Sequence, residues 1–140
     1  MACIVTSADV EAVLRARLAE DGYAISTPKG HGETGVDMIA SREDGSWHIE
    51  TIGYKGAGPQ RAKDFFESFF RAVSRIKDGA SRIAIALPSQ FHLGLPQRAA
   101  QYGVAWLRIG DAFPEVEIWL VDCATSRVTR SSWNSWLITN

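Results

Sequence analysis

Cysteine is scarce: Cys3 and Cys123 are the two in 140 residues, and their spacing forms neither a metal-ligand motif nor a disulfide framework. A reducing compartment is the default. No apolar run approaches the ~20 residues that span a bilayer, and the start, MACIVTSADV, lacks the basic and long apolar regions of a secretory signal. The expectation is a cytoplasmic protein with no membrane partner. An excess of charge is also missing. The formal net charge is −1, so any nucleic-acid site must rest on a local cluster of Lys and Arg. Repeats, low-complexity tracts and linkers are absent. What is present, 46% hydrophobic and 22% charged residues, is ordinary globular composition, and the length fits one domain over 1–140.

Along the chain, Thr6-Ser7-Ala8-Asp9 offers helix-capping residues before Val10, Val13, Leu14 and Leu18 at helical spacing. Gly22 ends that helix. Tyr23 to Thr27 reads as a short strand stopped by Pro28, and Lys29 to Gly35 as a glycine-rich loop. Two alternating runs follow, Val36 to Ser41 and Ser46 to Ile52, around Arg42-Glu43-Asp44-Gly45, where Asp-Gly signals a hairpin. A loop over Gly53 to Pro59 leads to a helix from about Gln60 to Lys77 with a wide apolar face of Phe65, Phe66, Phe69, Phe70, Val73 and Ile76. Arg82 to Leu87 reads as a buried strand, Pro96 to Tyr102 as a short helix, and Val104 to Ile109 and Val116 to Val121 as strands. The tail from Arg127 to Ile138 is a last strand or a packed extension held by Trp133 and Trp136. The order α-β-β-β-α-β-α-β-β implies an α/β protein, a mixed β-sheet flanked by helices.

A two-residue turn at Asp44-Gly45 predicts pairing of Asp37 with Ile52 and of Ile39 with Glu50. Alternation then puts Asp37, Ile39, Ser41, His48, Glu50 and Ile52 on one face, and Val36, Met38, Ala40, Trp47, Ile49 and Thr51 on the other. Asp37 and Glu50 become diagonal neighbours with Cα atoms roughly 7–8 Å apart. Carboxylates so placed can share one divalent cation, which relieves their repulsion and can activate water. A half-solvated hairpin also carries one polar face for no reason but solvation.

The run Gly35-Val36-Asp37-Met38-Ile39-Ala40, then Trp47-His48-Ile49-Glu50 and Lys55-Gly56, within an α-β-β-β-α-β order, resembles the PD-(D/E)XK nuclease superfamily. The resemblance spans roughly residues 8–109. It implies a restriction-endonuclease-like core, a Mg²⁺ or Mn²⁺ cofactor, DNA as partner, hydrolysis of phosphodiesters, and, as in many such nucleases, a homodimer. It gives Asp37 and Glu50 the metal-binding positions. Glu11 is the candidate for a first-helix glutamate facing the same site; its alternative role is a solvated first-turn residue that favours the helix dipole.

One departure stands out. The family lysine falls two residues after the glutamate, and that position is Ile52, which cannot orient water or stabilise charge on phosphorus. Lys55 and Lys63 are the candidates for a relocated lysine. A chain disabled for catalysis that binds nucleic acid or a protein partner is the alternative. His48 is either a weak base or an exposed polar residue. Arg71 and Arg75, with Lys63, are candidate phosphate contacts, although Asp64, Glu67 and Asp78 intersperse. The Gly53–Pro59 loop fits no phosphate-loop pattern. His31 and His92 lack zinc spacing, the serines lack a nucleophile elbow, and Trp119, Trp133 and Trp136 read as core or interface.

Overall fold

The computed structural model describes residues 4–27 and 36–137; the expected Lys29–Gly35 loop, His31, Cys3 and the tip of the tail lie outside them. The elements are α1 (Ser7–Glu20), β1 (Ala24–Ile25), β2 (Met38–Arg42), β3 (Gly45–Thr51), α2 (Gly58–Val73), β4 (Ile83–Pro88), α3 (Leu95–Tyr102), α4 (Val104–Ala112), β5 (Val116–Asp122) and β6 (Arg127–Ser132). Short 3₁₀ turns cover Ser74–Asp78, Ser89–Leu93 and Asn134–Trp136. The six strands form one mixed sheet in sequence order, with β3, β4 and β5 parallel and the remaining pairs antiparallel. Among the described residues no helix is long and apolar enough to cross a membrane.

The sequence of β4 explains the layering. Ile83, Ile85 and Leu87 alternate with Ala84 and Ala86, all buried. The small alanines let α1 lie close on one face, where Val10, Leu14 and Leu18 meet Met38, Ala40, Trp47, Ile49 and Trp119. The branched residues fill the other face beneath α2, α3 and α4, with Phe65, Phe69, Trp106 and Trp133. Each fully buried Leu or Ile contributes about 1.5–3 kcal/mol. A capping box starts α1: Asp9 N–H donates to Thr6 Oγ1 at 3.1 Å and Thr6 N–H to Asp9 Oδ2 at 3.0 Å.

Several boundaries differ from expectation. The first short strand shrinks to Ala24–Ile25, and β2 starts at Met38 rather than Val36. The long helix begins at Gly58, because Pro59 sits in a first turn whose N–H groups have no helical partner. Its α-helical part ends at Val73; the next turn is 3₁₀, and Gly79 closes it at φ +86°. Val104–Ile109 is helix, not strand. Strand alternation would have put Arg108 on the same side as Trp106, whereas the helix buries Trp106, packs Ile109 and Phe113 against the core and leaves Arg108 exposed.

The hairpin register is also corrected. The turn is Glu43-Asp44, so Arg42 pairs with Gly45, Ile39 with His48 and Met38 with Ile49. Gly45 takes φ +133° under the Arg82 guanidinium, a backbone that only glycine adopts without strain. The shift is two residues, an even number, so the paired side chains of β2 and β3 keep their expected faces; Asp37 lies ahead of β2 and outside the ladder.

Gly53 follows β3 where the N-terminal segment crosses it. Val5 and Tyr54 exchange backbone hydrogen bonds of 3.2 and 2.7 Å, and a Cβ on residue 53 would stand 2.4 Å from the Val5 carbonyl oxygen. Backbone must therefore move to admit any side chain. Gly53→Ala is expected to cost about 1–3 kcal/mol, read as a lower urea midpoint with an unchanged slope; an unaltered midpoint would show the junction to be soft.

Candidate functional site

The C-terminal end of β3 opens into a cleft of about 580 Å³. Thr51, Ile52 and Gly53 form its floor, the segment Ile4–Ser7 one wall, and α2 the other through Gln60, Lys63, Asp64, Glu67 and Arg71. Lys55, on the connecting loop, also lines it. Three of the four expected cationic side chains, Lys55, Lys63 and Arg71, thus meet in one hollow.

Neither Asp37 nor Glu50 lines this cleft; Glu50 directly precedes the floor residue Thr51 on β3. The β2–β3 ladder ends at the Met38–Ile49 pair, and Asp37 lies just before β2, so the expected diagonal pairing of Asp37 with Glu50 is not part of the ladder. The Asp37 carboxylate accepts from the Thr51 N–H at 2.9 Å and from the Thr51 hydroxyl at 3.3 Å. Glu50 alternates onto the α2 face and is 3% exposed. Such a pair suits a hard cation that takes oxygen ligands and keeps several waters. Among the described residues no group of three or more His, Cys, Asp or Glu converges on one point. Among the described residues, Asp37 and Glu50 are the carboxylates offered to such an ion.

Ile52, where the resemblance led to the expectation of a lysine, is 7% exposed and belongs to the α2-side core, which Tyr54 and Phe91 extend. It is a packing residue. Lys55 Nζ meets Asp64 Oδ2 at 3.0 Å, and Gln60 Nε2 donates to Asp64 Oδ1 at 2.8 Å. Burial alone pushes the Asp64 carboxyl up, but these two hydrogen bonds and the charges of Lys55 and Lys63 outweigh it and hold the group below its ordinary range. Asp64 positions Lys55 over the cleft; sequence reading saw it only as a charge interrupting a basic helix. Its four-residue spacing from Gln60 was the available signal. Thr51 was likewise missed, since its role appears only once β2 and β3 are paired.

Glu11 and Arg75 lie apart. Glu11 does not line the cleft: Arg15 Nη2 donates to it at 2.8 Å, and Arg15 Nη1 also reaches the Ser26 carbonyl. Arg71, within the cleft, is paired with Glu67, which also lines it. Arg75 pairs with Asp78 at 3.0 Å, at the far end of α2.

His48 sits near that far end, part-buried, with Nδ1 buried and without a hydrogen-bond partner among the described residues. Burial, aided by the Arg75 charge and opposed by Asp78, lowers its pKa from the ordinary 6.5. Just below pH 6.5 the unfolded chain then binds more protons than the fold, so stability rises with pH through that window and is lost as pH falls. His48→Gln should flatten this acid-side slope in denaturation curves between pH 5 and 7; an identical slope would remove His48 from the account. Compared with protein-family models, with curated proteins and with solved structures, the chain matches none.

Proposed function

We propose that this chain is a divalent-metal-dependent, endonuclease-like protein of the PD-(D/E)XK type that hydrolyses DNA phosphodiesters in the cytoplasm. The observation that carries the reading is that the Asp37 carboxylate is held on Thr51, next to the buried Glu50, where β3 enters a cleft bearing Lys55, Lys63 and Arg71. The run from α1 to β4 has the α-β-β-β-α-β order that the resemblance implies. In this reading Asp37 and Glu50 hold Mg²⁺ or Mn²⁺, and the ion supplies a Lewis acid and water of lowered pKa. Thr51 fixes the Asp37 carboxylate. Lys55, steered by Asp64, donates to the phosphate oxygens in place of the missing motif lysine, and Lys63 and Arg71 hold the DNA backbone. A homodimer belongs to the same proposal; Phe70 and Val104, exposed apolar side chains on α2 and α4, are where sedimentation of substituted variants would test it.

The buried Ile52 favours a second reading, a catalytically inactive chain that binds nucleic acid or a protein partner. Incubation of supercoiled, linear and branched DNA with Mn²⁺ separates the two. Cleavage that falls in Lys55→Ala supports the relocated lysine. Cleavage untouched in both Lys55→Ala and Lys63→Ala ends that assignment, and no cleavage of any substrate leaves the binding reading.

A further inference from the structure

On the other side of the first turns of α2 lies a second hollow, of about 280 Å³. Tyr54, Arg61, Gln90, Gln97, Arg98 and Gln101 line it, and no Asp or Glu does. Among the described residues seven other arginines meet a carboxylate within 3.7 Å. Among the described residues Arg61 and Arg98 meet none, like Arg108 and Arg127, but these two share one hollow. Arg61 is nevertheless held in place: its Nη1 donates to the Lys55 carbonyl at 2.7 Å and its guanidinium lies 4.6 Å from the Tyr54 ring centre. Arg98 lies 5.5 Å from the ring centres of both Phe65 and Phe66, and its Nε is buried with no hydrogen-bond partner among the described residues.

Two cations at one hollow repel, and burial adds to the cost. Burial first, and the Arg61 charge with it, lower the Arg98 pKa against the opposing influence of Tyr102. An anion would relieve both effects. The three glutamines that line the same hollow carry neutral N–H donors, and a phosphate group brings both the negative charge and oxygens that accept from guanidinium and amide alike. We infer that the Arg61–Arg98 hollow binds a phosphate group, supplied by the phosphodiester backbone of a nucleic acid that continues past the Lys55 cleft. Lys55 joins the two places, its ammonium in the cleft and its carbonyl on Arg61. The nucleic-acid source rests on the nuclease reading; the phosphate site does not.

Spectra resolving arginine Nε–H groups test this without added metal, so cleavage does not enter. Titrating the whole chain with inorganic phosphate should shift the Arg98 Nε–H signal saturably, and Arg61→Gln should weaken that binding about tenfold with an unchanged circular dichroism spectrum. No shift, or an equal shift with sodium chloride or in Arg61→Gln, overturns the site. A DNA oligonucleotide lacking terminal phosphates should move the same signal. Response to phosphate and a 5′-mononucleotide alone would overturn the backbone assignment and leave the anion site standing.

Discussion

Glu50→Gln is expected to reduce Mn²⁺-dependent DNA cleavage by about 1000-fold or more, with the fold intact. The side chain keeps its shape under α2, where it is 3% exposed, but loses the charge that would hold a divalent ion beside Asp37. Removing one of the two carboxylates proposed to hold it leaves the ion weakly held and its water less acidic, a deficit of several kcal/mol in the transition state. A second measurement guards against a trivial loss. Mn²⁺ at about one hundred times its Kd should stabilise the natural chain by roughly 2.7 kcal/mol and Glu50→Gln by far less. Asp37→Asn should behave alike, because its Thr51 contacts need only an oxygen acceptor. Equal stabilisation of all three proteins by Mn²⁺ would place the metal elsewhere and sink the nuclease reading.

Trp106→Ala is expected to destabilise the fold by about 3–5 kcal/mol, a third or more of the stability of a typical domain. Trp106 and Trp133 stack with ring centres 4.0 Å apart. Each indole N–H donates to the other residue's main-chain carbonyl at 2.9 Å. Truncation therefore removes a buried ring and one of two donors to the Trp133 carbonyl, which keeps the Trp136 N–H at 3.4 Å; the lost hydrogen bond is worth about 0.5–1.5 kcal/mol on its own. Trp133→Phe retains a ring but removes the indole donor to the Trp106 carbonyl, so its cost should be near that smaller figure. Urea denaturation followed at constant slope gives both values. A Trp106→Ala cost under about 1 kcal/mol would mean that the segment after β6 is not anchored by this pair.

The contrast between α2 and α4 explains how far sequence could reach. In α2 the apolar positions Phe65, Phe66, Phe69, Phe70 and Val73 recur at spacings of three and four, so a helical period is unmistakable. In α4 the run Val104-Ala105-Trp106-Leu107 is short and apolar, and the deciding partner, Trp133, lies 27 residues away. Hairpin faces were legible because an even slip in register preserves them, whereas the pairing itself depended on which two residues made the turn. Similarly, Asp37 and Glu50 stood out by alternation and by the family pattern. Asp64, Thr51 and Arg98 did not, since each matters through a partner from another element. Ile52 carried opposite signals: the motif asked for lysine there, while the core that closes over β3 required an apolar side chain.

The segment ahead of α1 has a practical bearing on every assay named above. Ile4 through Ser7 form one side of the cleft, and Gly53 pins that strip of backbone against β3. Whatever polypeptide is joined upstream of Ile4 is consequently tethered at the mouth of the hollow. A polyhistidine handle there would bring loose imidazoles within reach of added Mn²⁺ and of incoming DNA, so purification handles for these experiments are better removed or attached at the opposite terminus.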